Sequence, residues 1–195
     1  MTTLNGTGSD PIFRRKNIFL TGAPSSGKTT VIKKVVARLG LPAYGFYTEE
    51  ERKDGRRTGF LMKTLDGRSG YLAHQDVKSG YHIRRYGVSI ENIESIAAAS
   101  IVPRGENIII LDEIGKMECF SVVFRKAALC ALDSPNIVIG TITLGGDDFI
   151  LSVKERPDIE ITEVTPENRD TLPEIIIGKV REILRSRNRY SSNIL

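Results

Sequence analysis

The chain has 195 residues and a formal net charge of +4, and hydrophobic and charged residues make up 40% and 27% of it. This composition excludes wholesale disorder, which requires low hydrophobicity and a high net charge. No apolar run approaches the roughly 18 residues of a membrane-spanning helix, and residues 1–16 lack the apolar core of a signal peptide. We therefore expect a soluble, cytoplasmic protein with a flexible leader over 1–16, a single domain over 17–185 and a polar tail over 186–195.

The first part of the chain predicts a strand, a glycine-containing loop and a helix. An apolar run begins at Asn17 and is followed by the loop, which is typical of a short buried strand. Apolar residues then recur at helical spacing from Val31 to Leu39, and Gly40 ends the predicted helix.

The next region changes to strand periodicity. Alternating apolar residues on both sides of a turn at 53–55 predict a β-hairpin, extended by a third strand near Tyr71. Ser89 is a suitable N-cap for a helix over 90–101.

The second half alternates buried strands with helices. Uncharged apolar runs predict buried strands over 107–111 and 137–139. A further strand is predicted over 159–164. Helices are predicted over 121–132 and 149–154, and a last helix is predicted to begin at Thr165-Pro166. This alternation predicts an α/β fold with a mostly parallel sheet flanked by helices.

The two cysteines, Cys119 and Cys130, do not predict a disulfide. On one helix they would lie about 16 Å apart along its axis, too far for a disulfide bond. Two cysteines without histidine partners also make no zinc site. We expect reduced, buried thiols.

A phosphate-binding loop is the most specific motif in the chain. Residues 22–29 fit G-x-x-x-x-G-K-[ST], between a predicted strand and a predicted helix. Glycines let several backbone N–H groups approach a polyphosphate, and the helix dipole favours its negative charge. Lys28 is predicted to reach the β- and γ-phosphates, and the Thr29 hydroxyl to ligate Mg²⁺.

An acidic pair ends the most hydrophobic predicted strand. Asp112 follows four apolar residues, as in a Walker B motif, and is predicted to hold Mg²⁺ through water. Glu113 is predicted to accept a proton from an attacking water as the general base. Residues 112–115 also fit D-x-x-G, a switch motif of GTPases, but no N-K-x-D segment follows residue 115, and the GTP-specific interpretation loses most of its support.

With these motifs the chain resembles the broad-specificity nucleoside-triphosphatases, which include the cancer-related nucleoside-triphosphatases. The resemblance rests on residues 19–30, 45–50, 112–118 and 164–169. It implies Mg²⁺-dependent hydrolysis of ATP, GTP, CTP and UTP to the diphosphate and phosphate. It also implies a RecA-like P-loop NTPase fold with the β-hairpin as an insertion.

The resemblance also assigns nucleotide contacts to two segments of the chain. They comprise Gly22, Ala23, Pro24, Ser25, Ser26, Gly27, Lys28, Thr29 and Thr30, and then Ile108, Ile109, Ile110, Leu111, Asp112, Glu113, Ile114 and Gly115. The family often has glycine where Ser25 stands, so the geometry of the loop is expected to differ slightly there.

Several further residues allow two interpretations. Arg169 and Lys116 are candidates for neutralising charge in the transition state, although a surface or capping role is favoured for each. Tyr47, Thr48 and Glu49 either border the phosphate site or belong only to the hairpin.

Two other functions fit the same motifs. A small nucleotide or nucleoside kinase is compatible with the size and fold, although no arginine-rich lid is evident. A nucleotide-dependent switch for a protein or nucleic-acid partner is the third hypothesis, supported only by small basic clusters that are more typical of a solvated surface. We expect a monomer that acts on a nucleoside triphosphate and has no membrane partner.

Overall fold

The structure is a computed structural model, and it describes residues 15–105 and 107–192. The strands are β1 (Asn17–Thr21), β2 (Ala43–Lys53), β3 (Arg56–Thr64), β4 (Ser69–His74), β5 (His82–Ile83), β6 (Tyr86–Val88), β7 (Ile108–Ile114), β8 (Val138–Ile142) and β9 (Ile159–Glu163). The helices are α1 (Lys28–Leu39), α2 (Ile90–Asn92, continued as a π-helix over Ile93–Ala98), α3 (Val122–Asp133), α4 (Asp148–Lys154) and α5 (Leu172–Ser192), and Glu118–Phe120 forms a 3₁₀ turn.

The strands of the described ranges form a nine-stranded mixed sheet in the order β5-β6-β4-β3-β2-β7-β8-β1-β9. The pairs from β2 through β7, β8 and β1 to β9 are parallel, and those from β2 outward to β5 are antiparallel. The predicted alternation of parallel strands and helices is therefore confirmed. The predicted hairpin (β2–β3) and the third strand predicted near Tyr71 (β4) are also confirmed, and the short strands β5 and β6 extend this antiparallel part further.

Both faces of the parallel strands are covered by helices. In β7, Ile108 and Ile110 pack with residues of α1 and α5, whereas Ile109 and Leu111 pack with residues of α3 and the π-helix. Alternate side chains of a strand point to opposite faces, so an uninterrupted apolar run fits a strand that is buried on both sides. The functional edge of the sheet is thus held between two apolar layers.

The last helix differs from its prediction at both ends. It begins at Leu172 rather than at Thr165-Pro166, because residues 165–171 form turns in which the Thr165 N–H donates to Asn168 Oδ1 at 2.9 Å. It continues to Ser192, past the predicted end at residue 185, because no glycine or proline interrupts the sequence there. Residues 186–192 are therefore helical, where the sequence predicted a loose tail.

Two smaller expectations are also modified. Cys119 is buried as predicted, but Cys130 is exposed on α3, so only one thiol is buried; both are free.

Residues 1–14 of the predicted leader lie outside the described residues, whereas Lys16 is anchored by hydrogen bonds to the carbonyls of Leu132 (2.5 Å) and Asn136 (3.3 Å). None of the helices in the described ranges has the length and apolar character needed to cross a bilayer.

Gly45 allows β2 to approach β7 closely. Its φ is +119°, and a Cβ atom there would lie 2.0 Å from the Ile110 carbonyl oxygen. We expect Gly45→Ala to lower the free energy of unfolding by about 3 kcal/mol or more, since the substitution adds both backbone strain and overpacking. Urea denaturation measures this change.

Gly178→Ala is the matched control, because Gly178 is exposed on α5 and a Cβ there meets no atom within 4 Å. Removing a glycine from a helix interior is expected to raise the free energy of unfolding by about 0.5–1 kcal/mol. A wild-type unfolding midpoint for Gly45→Ala would contradict the described packing.

Candidate active site

The phosphate-binding loop connects the buried strand β1 to α1. Gly22 and Gly27 have φ values of +138° and +104°, and a Cβ on Gly22 would lie 2.9 Å from the Val164 carbonyl oxygen. Ser25 also has a positive φ, +62°, although it is not glycine. A left-handed conformation costs an ordinary residue about 1–2 kcal/mol, so the loop holds Ser25 in a strained backbone.

The loop presents donors that are suited to an anion. Gly27 is the N-cap of α1 and supplies no side-chain hydrogen bond, so the first N–H groups of the helix have no side-chain partner at the cap. Lys28 Nζ donates to the carbonyls of Gly22 (3.0 Å) and Ala23 (3.2 Å), which places its ammonium beside the loop. The Ser26 hydroxyl is buried without a hydrogen-bond partner. Since buried polar groups are nearly always paired, this hydroxyl fits a loop that binds a polar ligand.

Two oxygen ligands suited to Mg²⁺ lie side by side at the end of the sheet. Thr29 Oγ1 donates to Asp112 Oδ2 at 2.7 Å, and Thr141 Oγ1 donates to Asp112 Oδ1 at 2.6 Å. Hydroxyl and carboxylate oxygens are hard ligands, and Mg²⁺ usually takes few of them from a protein and the others from phosphates and water. The described residues contain no cluster of three His, Cys, Asp or Glu side chains that would make a site with more protein ligands. Thr29 and Asp112 therefore fit a magnesium ion shared with a phosphate substrate.

Glu113 faces the cleft next to this pair. Burial and, to a smaller extent, the charge of Asp112 raise the pKa of the Glu113 carboxyl to about 7, although the charge of Lys28 opposes them. Burial also raises the pKa of Asp112. A carboxyl with a pKa near neutrality is well matched to the role of a general base.

Glu118 is a site residue that the sequence did not predict. It lies in the 3₁₀ turn, is 4% exposed and lines the cleft. Burial and the charge of Glu113 raise its pKa well above the ordinary value. Its Oε2 and the Oε1 of Glu113 lie 2.8 and 3.4 Å from the position that a Gly115 Cβ would occupy, so the two carboxyl groups converge there. In the sequence Glu118 is the last residue of the 112–118 segment that carries the family resemblance, but it stands apart from the Asp112-Glu113 pair and has no motif of its own.

The cleft, with a volume of about 820 Å³, brings most of the predicted residues together. Its lining includes the predicted residues Gly22, Pro24, Ser25, Gly27, Lys28, Thr29, Thr30, Glu113 and Gly115. Other predicted residues lie outside its described lining: the apolar residues Ile108, Ile109, Ile110, Leu111 and Ile114 are buried in the core layers. Asp112 also lies outside the lining but accepts a hydrogen bond from Thr29. Ala23 and Ser26 are loop residues outside the lining; Ala23 is exposed, and the Ser26 hydroxyl is buried.

Four of the residues that allowed two interpretations in the sequence lie in or beside the cleft. Arg169 lies beside the loop, with its Cδ 3.8 Å from the position of a Gly27 Cβ, and Lys116 is exposed at the cleft. Thr48 and Glu49 line the cleft, and Glu49 forms ion pairs with two lysines of α1 and β3.

Comparisons with known proteins identify the family of the chain. Residues 17–177 match the model of a family described as NTPase. The nucleoside-triphosphatase THEP1 of Thermotoga sp. (strain RQ2) is 42% identical over 84% of this chain and 95% of its own length. The human cancer-related nucleoside-triphosphatase is 37% identical over 83% of this chain and 95% of its own length.

Two solved structures resemble the chain over most of its length. The crystal structure of THEP1 from Aquifex aeolicus has a TM-score of 0.75 and 36% identity, covering 82% of this chain and 96% of its own. The solution structure of a human cancer-related nucleoside triphosphatase has a TM-score of 0.71 and 34% identity, and the match covers 85% of this chain and 97% of that one.

The buried hydroxyl of Thr141 is expected to stabilise the charge of Asp112. Thr141→Val removes the hydrogen bond while keeping the volume, so the free energy of unfolding should fall by about 1–3 kcal/mol. Thr141→Ser is the control, because it keeps the hydroxyl donor, and its free energy of unfolding should fall clearly less than that of Thr141→Val. Equal stability of the Val and Ser variants in urea denaturation would show that Asp112 does not depend on this contact.

Proposed function

Since the chain belongs to the NTPase family, we propose that it hydrolyses ATP, GTP, CTP and UTP to the diphosphate and phosphate in a Mg²⁺-dependent reaction. Its class is that of the nucleoside-triphosphatase enzymes, and its α/β fold is that of the P-loop NTPases. In this proposal one catalytic domain acts as a cytoplasmic monomer. The acceptance of all four bases is supported by the resemblance to broad-specificity enzymes and by the missing N-K-x-D segment after residue 115.

One observation carries the proposal: Lys28, Thr29 and Glu113 line a single cleft, and Asp112 accepts a hydrogen bond from Thr29. The loop N–H groups and Lys28 would bind the β- and γ-phosphates. Thr29 and Asp112 would hold Mg²⁺, which supplies positive charge to the phosphate oxygens when bound. Each of these elements supports binding of a triphosphate, and Glu113 supplies the group that distinguishes hydrolysis from binding.

Glu113 then acts on the attacking water. Its carboxylate accepts a proton as the water oxygen forms a bond to the γ-phosphorus. The bond between the γ-phosphorus and the β–γ bridging oxygen breaks, and the diphosphate leaves with that oxygen. Lys28 stabilises the negative charge that develops on the phosphate oxygens, which is the main task of the protein in phosphoryl transfer.

The roles of Lys28 and Glu113 predict different defects. Glu113→Gln should retain nucleotide binding and lose phosphate release by about 10²–10⁴-fold, since only the base is removed. Lys28→Ala should lose both, because it removes the charge at the phosphates. Phosphate release from the four triphosphates and binding of a fluorescent nucleotide measure the two effects.

Lys34→Ala is the control for Lys28→Ala, because Lys34 lies on the same helix and pairs with the exposed Asp170 at 3.1 Å. It should behave like the wild type. Full phosphate release by Glu113→Gln would remove Glu113 from the mechanism.

Thr29 tests the metal assignment separately. Thr29→Ala should raise the Mg²⁺ concentration needed for half-maximal phosphate release by about tenfold or more, whereas Thr29→Ser keeps the ligand oxygen and should shift it little. Magnesium titrations of the two variants measure this difference. The same requirement in Thr29→Ala and wild type would argue against Thr29 as a ligand.

A further inference from the structure

The cleft continues past Glu113 into the antiparallel part of the sheet. Its lining there combines an apolar wall with two arginines from β3, β4 and the β5–β6 hairpin: Arg57, Phe60, Leu72, Ile83, Arg84 and Tyr86. We call this part the hairpin half of the cleft. No residue in it belongs to the phosphate-binding machinery described above.

The strand order separates the hairpin half from the phosphate-binding loop. Glu113 lies on β7, two strands from β1, and Phe60 lies on β3, two strands further in the same direction. With neighbouring strands about 4.8 Å apart, Phe60 is on the order of 19 Å from β1 across the sheet. Glu113 therefore stands between the loop and the hairpin half.

The orientation of a bound triphosphate follows from the proposed function. Lys28 binds the β- and γ-phosphates, and the water on Glu113 must attack the γ-phosphorus opposite the bond that breaks. The γ-phosphate thus faces Glu113, and the α-phosphate and nucleoside extend away from it. In the strand order, the side of the loop opposite to Glu113 is that of β9, and Arg169 lies beside Gly27 there. We therefore expect the nucleoside on that side, which would leave the hairpin half free for another ligand.

Arg84 has the properties of a residue that binds an anion. It is exposed, lines the cleft and has no hydrogen bond or ion pair with any other described residue. It sits at the turn between β5 and β6 with φ +55°, a conformation that is strained for a residue with a side chain. Neighbouring Arg85 is instead engaged, since its Nη2 donates to the Arg57 carbonyl at 2.5 Å and to the Tyr86 hydroxyl at 3.0 Å.

Arg57 and the apolar wall indicate the rest of the ligand. The Arg57 Nη1 pairs with Glu50 at 2.5 Å, but its Nε is buried without a partner. Its guanidinium lies 5.0 Å from the centre of the Phe60 ring, and the Tyr86 ring packs on Phe60 edge to face at 5.5 Å. Aromatic and aliphatic side chains beside cationic groups suit a molecule that has both a planar ring and a negatively charged group.

We propose that the hairpin half is a second binding site, which takes a small molecule with a planar ring and a phosphate group, of the class of the nucleoside monophosphates. Arg84 binds the phosphate, and the Phe60 side of the cleft contacts the ring. The proposal rests on the proposed function for one point, the direction in which the triphosphate lies.

The test is calorimetric titration of AMP, GMP, CMP and UMP into the full chain with the phosphate loop saturated by Mg²⁺ and ADP. We expect saturable binding of at least one monophosphate that does not displace ADP. Arg84→Ala should weaken this binding about tenfold or more, since it removes a charged hydrogen-bond donor, and Arg84→Lys should restore most of it. Phe60→Leu, a second variant, should weaken it several-fold.

Arg56→Ala is the matched control, because Arg56 is an exposed arginine of the same strand, β3, outside the lining of the cleft. It should bind monophosphates like the wild type. The proposal is overturned if no monophosphate binds at millimolar concentration, if binding displaces ADP, or if folded Arg84→Ala binds with unchanged affinity. Failure of the proposed function would appear elsewhere, as phosphate release that survives in Lys28→Ala.

Discussion

The hydrogen bond between Thr29 and Asp112 joins the two parts of the protein on which the site depends. Thr29 lies in the first turn of α1, after the phosphate-binding loop, and Asp112 lies near the end of β7. Strand β8 aligns the two, because Gly140 is in register with Phe19 of β1 on one side and with Leu111 of β7 on the other. The carboxyl ends of parallel strands meet at one edge, so a shift of β7 would move Asp112 and Glu113 away from the loop together.

The same edge concentrates buried acid groups. Asp112, Glu113 and Glu118 all have pKa values raised by burial, and the charges of neighbouring carboxyl groups add to the effect for Glu113 and Glu118. Buried charges of one sign lower the stability of a fold unless opposite charges offset them. Lys28 is the described cation that lowers the pKa of Glu113, and a bound Mg²⁺ fits the oxygen pair beside it. The three buried carboxyl groups beside Lys28 therefore favour the binding of a cation together with phosphates.

The features of the site that the sequence predicts are those that depend on local chemistry. Residues 22–29 and the Asp112-Glu113 pair were predicted because phosphate and metal binding need particular residues at fixed spacing. Glu118 and Arg84 were not predicted as site residues, since a 3₁₀ turn and a two-residue turn bring them to the cleft and neither leaves a periodic signal. Strands β5 and β6 contain two and three residues, too few for alternation to be recognised, so the full antiparallel extension was not predicted.

A crystal structure of the Glu113→Gln variant with Mg²⁺ and ATP tests the central claim most directly. We expect the β- and γ-phosphates on the loop and Lys28, the metal ion on Thr29, the γ-phosphate facing residue 113 and the nucleoside directed toward Arg169. A nucleoside bound against Phe60, or phosphates bound away from the loop, would contradict this orientation of the triphosphate, on which both the hydrolytic mechanism and the second site depend.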